Sequence, residues 1–134
     1  MHLPAQVAGG LLSAGDTHAV QGDGEVCGTG AETPATVRLR DNVASPYRSS
    51  VPWYEHAVQR RETAWRCTTG IGPDLFQAAR DATRRALNIV ASTGLEAVDA
   101  YMLVSLTGKL RVSEIVDAPN WVMSMHVPTR YTLM

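Results

Sequence analysis

Near residue 72 the sequence changes pattern, and that change limits the chain to a mixed fold. Residues 1–71 hold eight of the 11 glycines, with short β-favouring runs such as "ATVRLR" and "ETAWRCTTG" between them. From Gly72 onward apolar residues recur at three- and four-residue steps instead. The first part therefore reads as strands and loops, the second as helices followed by strands.

In the second part Leu75, Phe76, Ala79, Thr83, Ala86, Leu87 and Val90 mark one helical face, and Arg80, Asp81, Arg84 and Arg85 take the other. Pro73 and Asp74 suit a first turn, and Gly94 suits the left-handed residue that ends a helix. The spacing predicts a helix from about Asp74 to Thr93, its Leu75–Ala79–Leu87–Val90 stripe packed on a sheet and Arg84 in solvent. Asp81 is placed to pair with Arg84 or Arg85. A second helix, about Glu96 to Leu106, is apolar on nearly all sides in "AVDAYMLVSL" and is expected to be sandwiched in the core. "LRVSEIVD" and "NWVMSMHVP" read as two strands around an Ala118–Pro119 turn. In "VRLR", Val37 and Leu39 alternate with Arg38 and Arg40 as in a half-buried strand, whereas "SPYRSSVPWYE" reads as a loop. The expected fold is α+β: β-strands and functional loops, then helix, helix, strand, strand. One domain over 1–134 is expected, β-rich over 1–71 and α+β over 72–134.

Twelve basic against 13 acidic side chains give a net charge of −1, which leaves no electrostatic footprint for nucleic acid or an anionic membrane. A small neutral substrate is the better match. No apolar run approaches the ~18 residues of a membrane span, and the N-terminus lacks a basic region leading into an apolar one. Cys27 and Cys67 are too few for a disulfide framework. Together these features suggest a soluble cytoplasmic protein with both thiols reduced.

The densest chemistry lies in "GDTHAVQGDGEVCGTGAE", residues 15–32. On an extended segment Asp16 shares a face with His18, and Asp23 with Glu25, so the two pairs converge if the chain turns at Gly22. Imidazole plus carboxylates is a ligand set for a divalent ion, zinc first, that keeps a position open for water. Such an ion polarises a carbonyl and lowers the pKa of bound water toward ~7, which points to hydrolysis. Gly22, Gly24 and Gly28 allow close backbone approach to a substrate. A nucleotide loop is disfavoured because Asp23 and Glu25 would repel phosphates. The spacing is also wrong for a calcium loop. A turn whose Asp and Gly residues serve only backbone geometry remains open.

Cys27 is an alternative nucleophile. It lacks a basic partner nearby, and Lys109, the chain's only lysine, is not tied to it by any local pattern. A small buried cysteine on a strand after the loop is the competing reading. Glu114 and Asp117, on a strand and its exit, are candidates to complete a polar site, with Glu114 taken as a catalytic candidate. His126, between Met125 and Val127, reads as a satisfied core histidine, while His2 and His56 carry no readable signal. Trp53, Trp65 and Trp121 read as core or interface anchors.

"LLSAGDTHAVQGDGEVCGTGAE" resembles the signature of the acetamidase/formamidase family. "AYMLVSLTGKLRVSEIVDAPNWVMSMHVP" resembles that family's C-terminal block in the same order, and "GPDLFQAARDATRRALNIV" is similar to its long helix. The resemblance implies a hydrolase of short linear amides that releases ammonia from formamide or acetamide. It also implies β-sheet layers with a smaller α+β unit. It makes Asp16, His18, Asp23 and Glu25 candidate metal ligands or proton-transfer groups, with Glu25 and Asp23 as the proton relay. Members of the family are longer, and this chain resembles their C-terminal half. The absent N-terminal half carries a Gly-Gly-Asn-x-Asp-like segment expected at the same site. A homo-oligomer or a complementing chain is therefore the expected partner, besides the small amide, and a truncated, non-catalytic module is the alternative.

Overall fold

The computed structural model describes residues 1–27, 29–40, 49–57 and 64–132. Its centre is a long strand, β4 (Ala64–Gly72), paired antiparallel with β6 (Trp121–Pro128) over eight residues, from Trp65 opposite Pro128 to Gly72 opposite Trp121. β3 (Trp53–Ala57) joins the free side of β4, and β5 (Lys109–Glu114) joins the free side of β6, giving the antiparallel order β3-β4-β6-β5. A separate ribbon pairs β1 (His18–Val20) with β2 (Ala31–Glu32), His18 facing Glu32. Mixed α+β architecture is thus what the chain adopts, with β5 and β6 flanking a cis Ala118–Pro119 turn.

Two helices connect the sheet's halves: α1 (Leu75–Ala91) and α2 (Ala97–Thr107). Asp74 caps α1, its carboxylate accepting the Gln77 N–H at 2.7 Å. After the C-cap at Ser92, Gly94 takes φ +101°, the left-handed geometry its sequence position suggested. On the opposite flank Arg84 pairs with Asp81 at 2.7 Å and faces solvent.

The buried face of α1 differs from the expected stripe. Leu75 and Phe76 are exposed, and Ala78, Ala82, Ala86, Ile89 and Val90 are buried. Close approach explains the rotation. Gly70 of β4 lies under the helix, where an added Cβ would meet the Ala78 carbonyl and come within 2.9 Å of the Ala82 nitrogen. Only the small side of the helix fits at that distance, and Thr68 of β4 donates to the Ala82 carbonyl at 2.7 Å from the same strand. Met125 and Val127 of β6 complete this core with Val90, Ala100 and Val104.

α2 is not sandwiched. Only Ala100 and Val104 are buried, while Val98, Tyr101, Met102 and Leu106 are 51–84% exposed. One sheet and one neighbouring helix can cover a single stripe of it, so its remaining apolar sides face outward. "VRLR" forms no strand and Val37 and Leu39 are exposed, because an alternating run needs a partner strand to become a sheet. Within the expected loop at 45–55, residues 45–48 lie outside those described and Trp53–Glu55 belong to β3. Buried Arg66 of β4 is satisfied by Glu55 of β3, at 2.7 Å from Nε, and by the Thr132 carbonyl at 2.6 Å.

Gly70→Ala is expected to destabilise the fold by at least about 1–3 kcal/mol, because the methyl meets helix backbone that cannot rotate away. Phe76→Ala, on the exposed flank of α1, is expected to change stability by no more than about 0.5 kcal/mol. Urea denaturation of both variants checks the rotated helix face.

Candidate functional site

The acidic loop is built on the β1–β2 ribbon and tied to the main sheet. Gly24, at φ +90°, makes the turn, and the Glu25 N–H donates back to the Gly22 carbonyl at 3.3 Å. The Gly24 carbonyl accepts the Ile115 N–H at 3.0 Å, just beyond β5. Asp23 reaches Arg111 of β5 at 3.3 Å. Asp16 and Glu25 adopt φ +51° and +36°, unusual for side-chain-bearing residues and costly unless the surroundings hold them there.

His18 is the best-anchored group of this loop. Its Nδ1 lies 2.7 Å from Gln21 Oε1 and its Nε2 lies 3.2 Å from Asp16 Oδ1. Both ring nitrogens thus face oxygen acceptors, the arrangement that suits the doubly protonated imidazolium. The Gln21 hydrogen bond chiefly, then the Asp16 carboxylate and more weakly Glu25, raises the His18 pKa above the ordinary 6.5. Gly30 makes room for the ring, since a Cβ there would lie 2.5 Å from His18 Nδ1. Beside it a pocket of about 520 Å³ is lined by Asp16, Thr17, Glu32, Thr33 and Pro34.

The loop brings together Asp16 and His18, with Glu25 near enough to act on the ring electrostatically. Asp23 turns instead to Arg111. Glu114 accepts the Asp117 N–H at 2.8 Å and so closes the turn after β5. Gly22 is exposed, Gly24 is buried, and Gly28 lies outside the described residues. Cys27 is exposed and off any strand, contrary to the buried-strand reading, because the chain there follows a turn and pairs with no strand among the described residues. Hydrogen bonds from Thr29, its backbone first, lower the Cys27 pKa. Lys109 sits over the Trp65 ring at 4.5 Å.

A second cluster lies on the face of the sheet away from the helices. Cys67 of β4 is directly opposite His126 of β6, Tyr54 of β3 is opposite Cys67, and His56, opposite Trp65, lies two residues along β3 from Tyr54. His126 Nδ1 lies 3.2 Å from Cys67 Sγ and 3.3 Å from His56 Nε2. The three donor atoms all lie within 4.8 Å of one another, and among the described residues this is the one group of three or more that could hold a metal ion. Ser124 meets His126 Nε2 at 2.8 Å and Ser113 Oγ at 2.7 Å. Burial, then the Arg111 charge, pushes His126 down to about 4. Burial likewise pushes the Cys67 thiol up to about 12.

Sequence reasoning missed His56 and Cys67 and read His126 as core. Their signal was period-2 placement: His56 in "WYEHA", and Ser124 with His126 in "MSMHV", each lie on one face of a strand. Only the strand pairing places those faces side by side.

The chain matches the acetamidase/formamidase family over residues 1–131 and belongs to that family. It is similar to a crystallised acetamidase from Bacillus halodurans, with 29% sequence identity, a TM-score of 0.48 and coverage of 54% of this chain. The match spans only 24% of that relative's length. No curated protein matches the chain at a significant level.

The His18 titration midpoint, read by NMR, is expected above 6.5 and should fall in Gln21→Leu, which removes the largest cause of the shift. The sign for stability follows. With its folded pKa raised, His18 contributes stability that is present below pH 6.5 and is lost as the pH rises through the folded value.

Proposed function

We propose that the chain carries part of the active site of a hydrolase that cleaves the C–N bond of short linear amides, giving a carboxylate and ammonia. Membership of the acetamidase/formamidase family supports the substrate class. The observation that carries the reading is His18, held between Gln21 and Asp16, with Asp16 lining the pocket.

In this reading His18, kept protonated above the usual imidazole range, donates its proton to the departing amine nitrogen. Asp16 orients the ring. Glu25 takes the proton from the attacking water, and Asp23 fixes the loop through Arg111. Backbone N–H groups at Gly22 and Gly24 are the proposed donors to the developing oxyanion. Glu114 contributes by closing the turn after β5 rather than by touching substrate.

Zinc is the ion this acid and imidazole set suggests, and when bound it would polarise the amide carbonyl and activate water. Asp16 and a neutral His18 would be two adjacent donors, short of the three protein ligands an open zinc site uses, and with the ion bound Glu25 rather than His18 would hand the proton to the amine. The remaining donors are proposed to come from a longer or complementing chain, with residues 1–134 forming the domain that corresponds to the family's C-terminal half.

A second reading, an assembly-dependent module, is favoured by the outward apolar side of α2, where Val98, Tyr101 and Leu106 are 62–84% exposed. The proposed occupant of this face is a second copy or a complementing chain.

Ammonia release from formamide and acetamide tests both. His18→Ala is expected to lower kcat by about 100-fold or more, and Cys27→Ala to leave most of the rate. Equal loss in both variants would overturn the proton-donor role. Tyr101→Glu with Leu106→Glu is expected to shift the sedimentation coefficient to that of a monomer. An unchanged sedimentation profile would argue against the module reading.

A further inference from the structure

We infer that His56, Cys67 and His126 form a zinc-binding site on the sheet, separate from the acidic loop. The inference stands on the geometry of β3, β4 and β6 and does not depend on the amide-hydrolase reading.

Donor spacing is the first ground. Zinc–sulfur and zinc–nitrogen bonds of ~2.3 and ~2.0–2.1 Å at tetrahedral angles separate two nitrogens by roughly 3.3 Å and a sulfur from a nitrogen by roughly 3.6 Å. His56 Nε2 and His126 Nδ1 are 3.3 Å apart, and Cys67 Sγ and His126 Nδ1 are 3.2 Å apart. Two of the three spacings thus match those of a tetrahedral ion to within a few tenths of an ångström, and all three donors lie within 4.8 Å of one another.

Hydrogen-bond accounting is the second. Ser124 holds His126 Nε2 at 2.8 Å, and with Nε2–H donating to that hydroxyl, Nδ1 is left with one lone pair. Cys67 and His56 both approach this lone pair, which fully accepts only one donor, while Tyr54 is a further hydrogen-bond partner of Cys67 and Ser124. A cation at the centre resolves the conflict, since all three groups then present lone pairs to it. Ser124, itself bonded to Ser113, plays the outer partner that fixes the tautomer of a metal-bound histidine.

Ligand type is the third. A thiol and two neutral imidazoles suit zinc better than magnesium or calcium, which take oxygen. Three protein ligands leave a fourth position open. Arg111 and Lys109 on β5 put positive charge near the cluster, so an incoming cation must be offset by loss of the Cys67 proton. That proton passes to the buffer as the sulfur–zinc bond forms, and the thiolate supplies the balancing negative charge.

The full 134-residue chain, stripped with a chelator and titrated with Co²⁺ as a spectroscopic stand-in and then with Zn²⁺, tests the site. One equivalent of Co²⁺ is expected to produce tetrahedral visible bands and a near-ultraviolet thiolate charge-transfer band, which one equivalent of Zn²⁺ displaces. Calorimetry in two buffers should report about one proton released per ion. Cys67→Ser is expected to abolish the charge-transfer band, and Ser124→Ala to weaken binding by about tenfold or more. Cys27→Ala and His18→Ala should leave the bands intact. If Cys67→Ser does not fold by circular dichroism, His56→Gln supplies the test, by loss of the tetrahedral bands. No stoichiometric Co²⁺ binding, a charge-transfer band lost with Cys27 instead, or binding lost with His18 would each overturn the site.

Discussion

The antiparallel register between β4 and β6 sets both faces of the sheet at once. With Cys67 opposite His126, Thr68 stands opposite Met125 and Gly70 opposite Met123. The helix side then receives Thr68, Gly70, Met125 and Val127, and the far side receives Cys67, Ser124 and His126. A slip of β6 by one residue would turn Ser124 and His126 beneath α1 and expose the core Met125 and Val127. Hydrophobic burial against α1 therefore selects the register that also assembles the polar cluster.

Gly70 extends the same constraint to the helix. Its missing side chain lets α1 approach β4 closely enough for alanines to form the contact, and that choice turns Leu75 and Phe76 outward. With α1 occupying the sheet so closely, α2 reaches the core through the buried Ala100 and Val104 and the partly buried Leu103. The exposed apolar side of α2 follows from how little sheet remains to cover it.

The acidic loop depends on the sheet through β5. Asp23 on Arg111 and the Gly24 carbonyl on Ile115 anchor it to that edge, and Arg111 also acts electrostatically on His56, Cys67 and His126. One arginine thus stands between the loop and the sheet cluster, compensated on the loop side by a carboxylate. Asp23, expected to share a site with Glu25, is instead part of this linkage.

The local patterns were legible in the sequence. Asp74 and Gly94 bracket α1 by capping chemistry, and the β5 and β6 runs pair around their proline turn; Asp16 meets His18 as the i, i+2 spacing suggested, though through a left-handed Asp16 backbone and not an extended one. Each rests on interactions within a few residues of chain. Which face of α1 turns inward was decided by Gly70 on another element, and "VRLR" has no pairing strand among the described residues. The His56–Cys67–His126 cluster joins residues 11 to 70 positions apart and exists only because three strands lie side by side. Periodicity fixes which side of its own strand a residue occupies; only the pairing of strands decides which residues of other strands it meets.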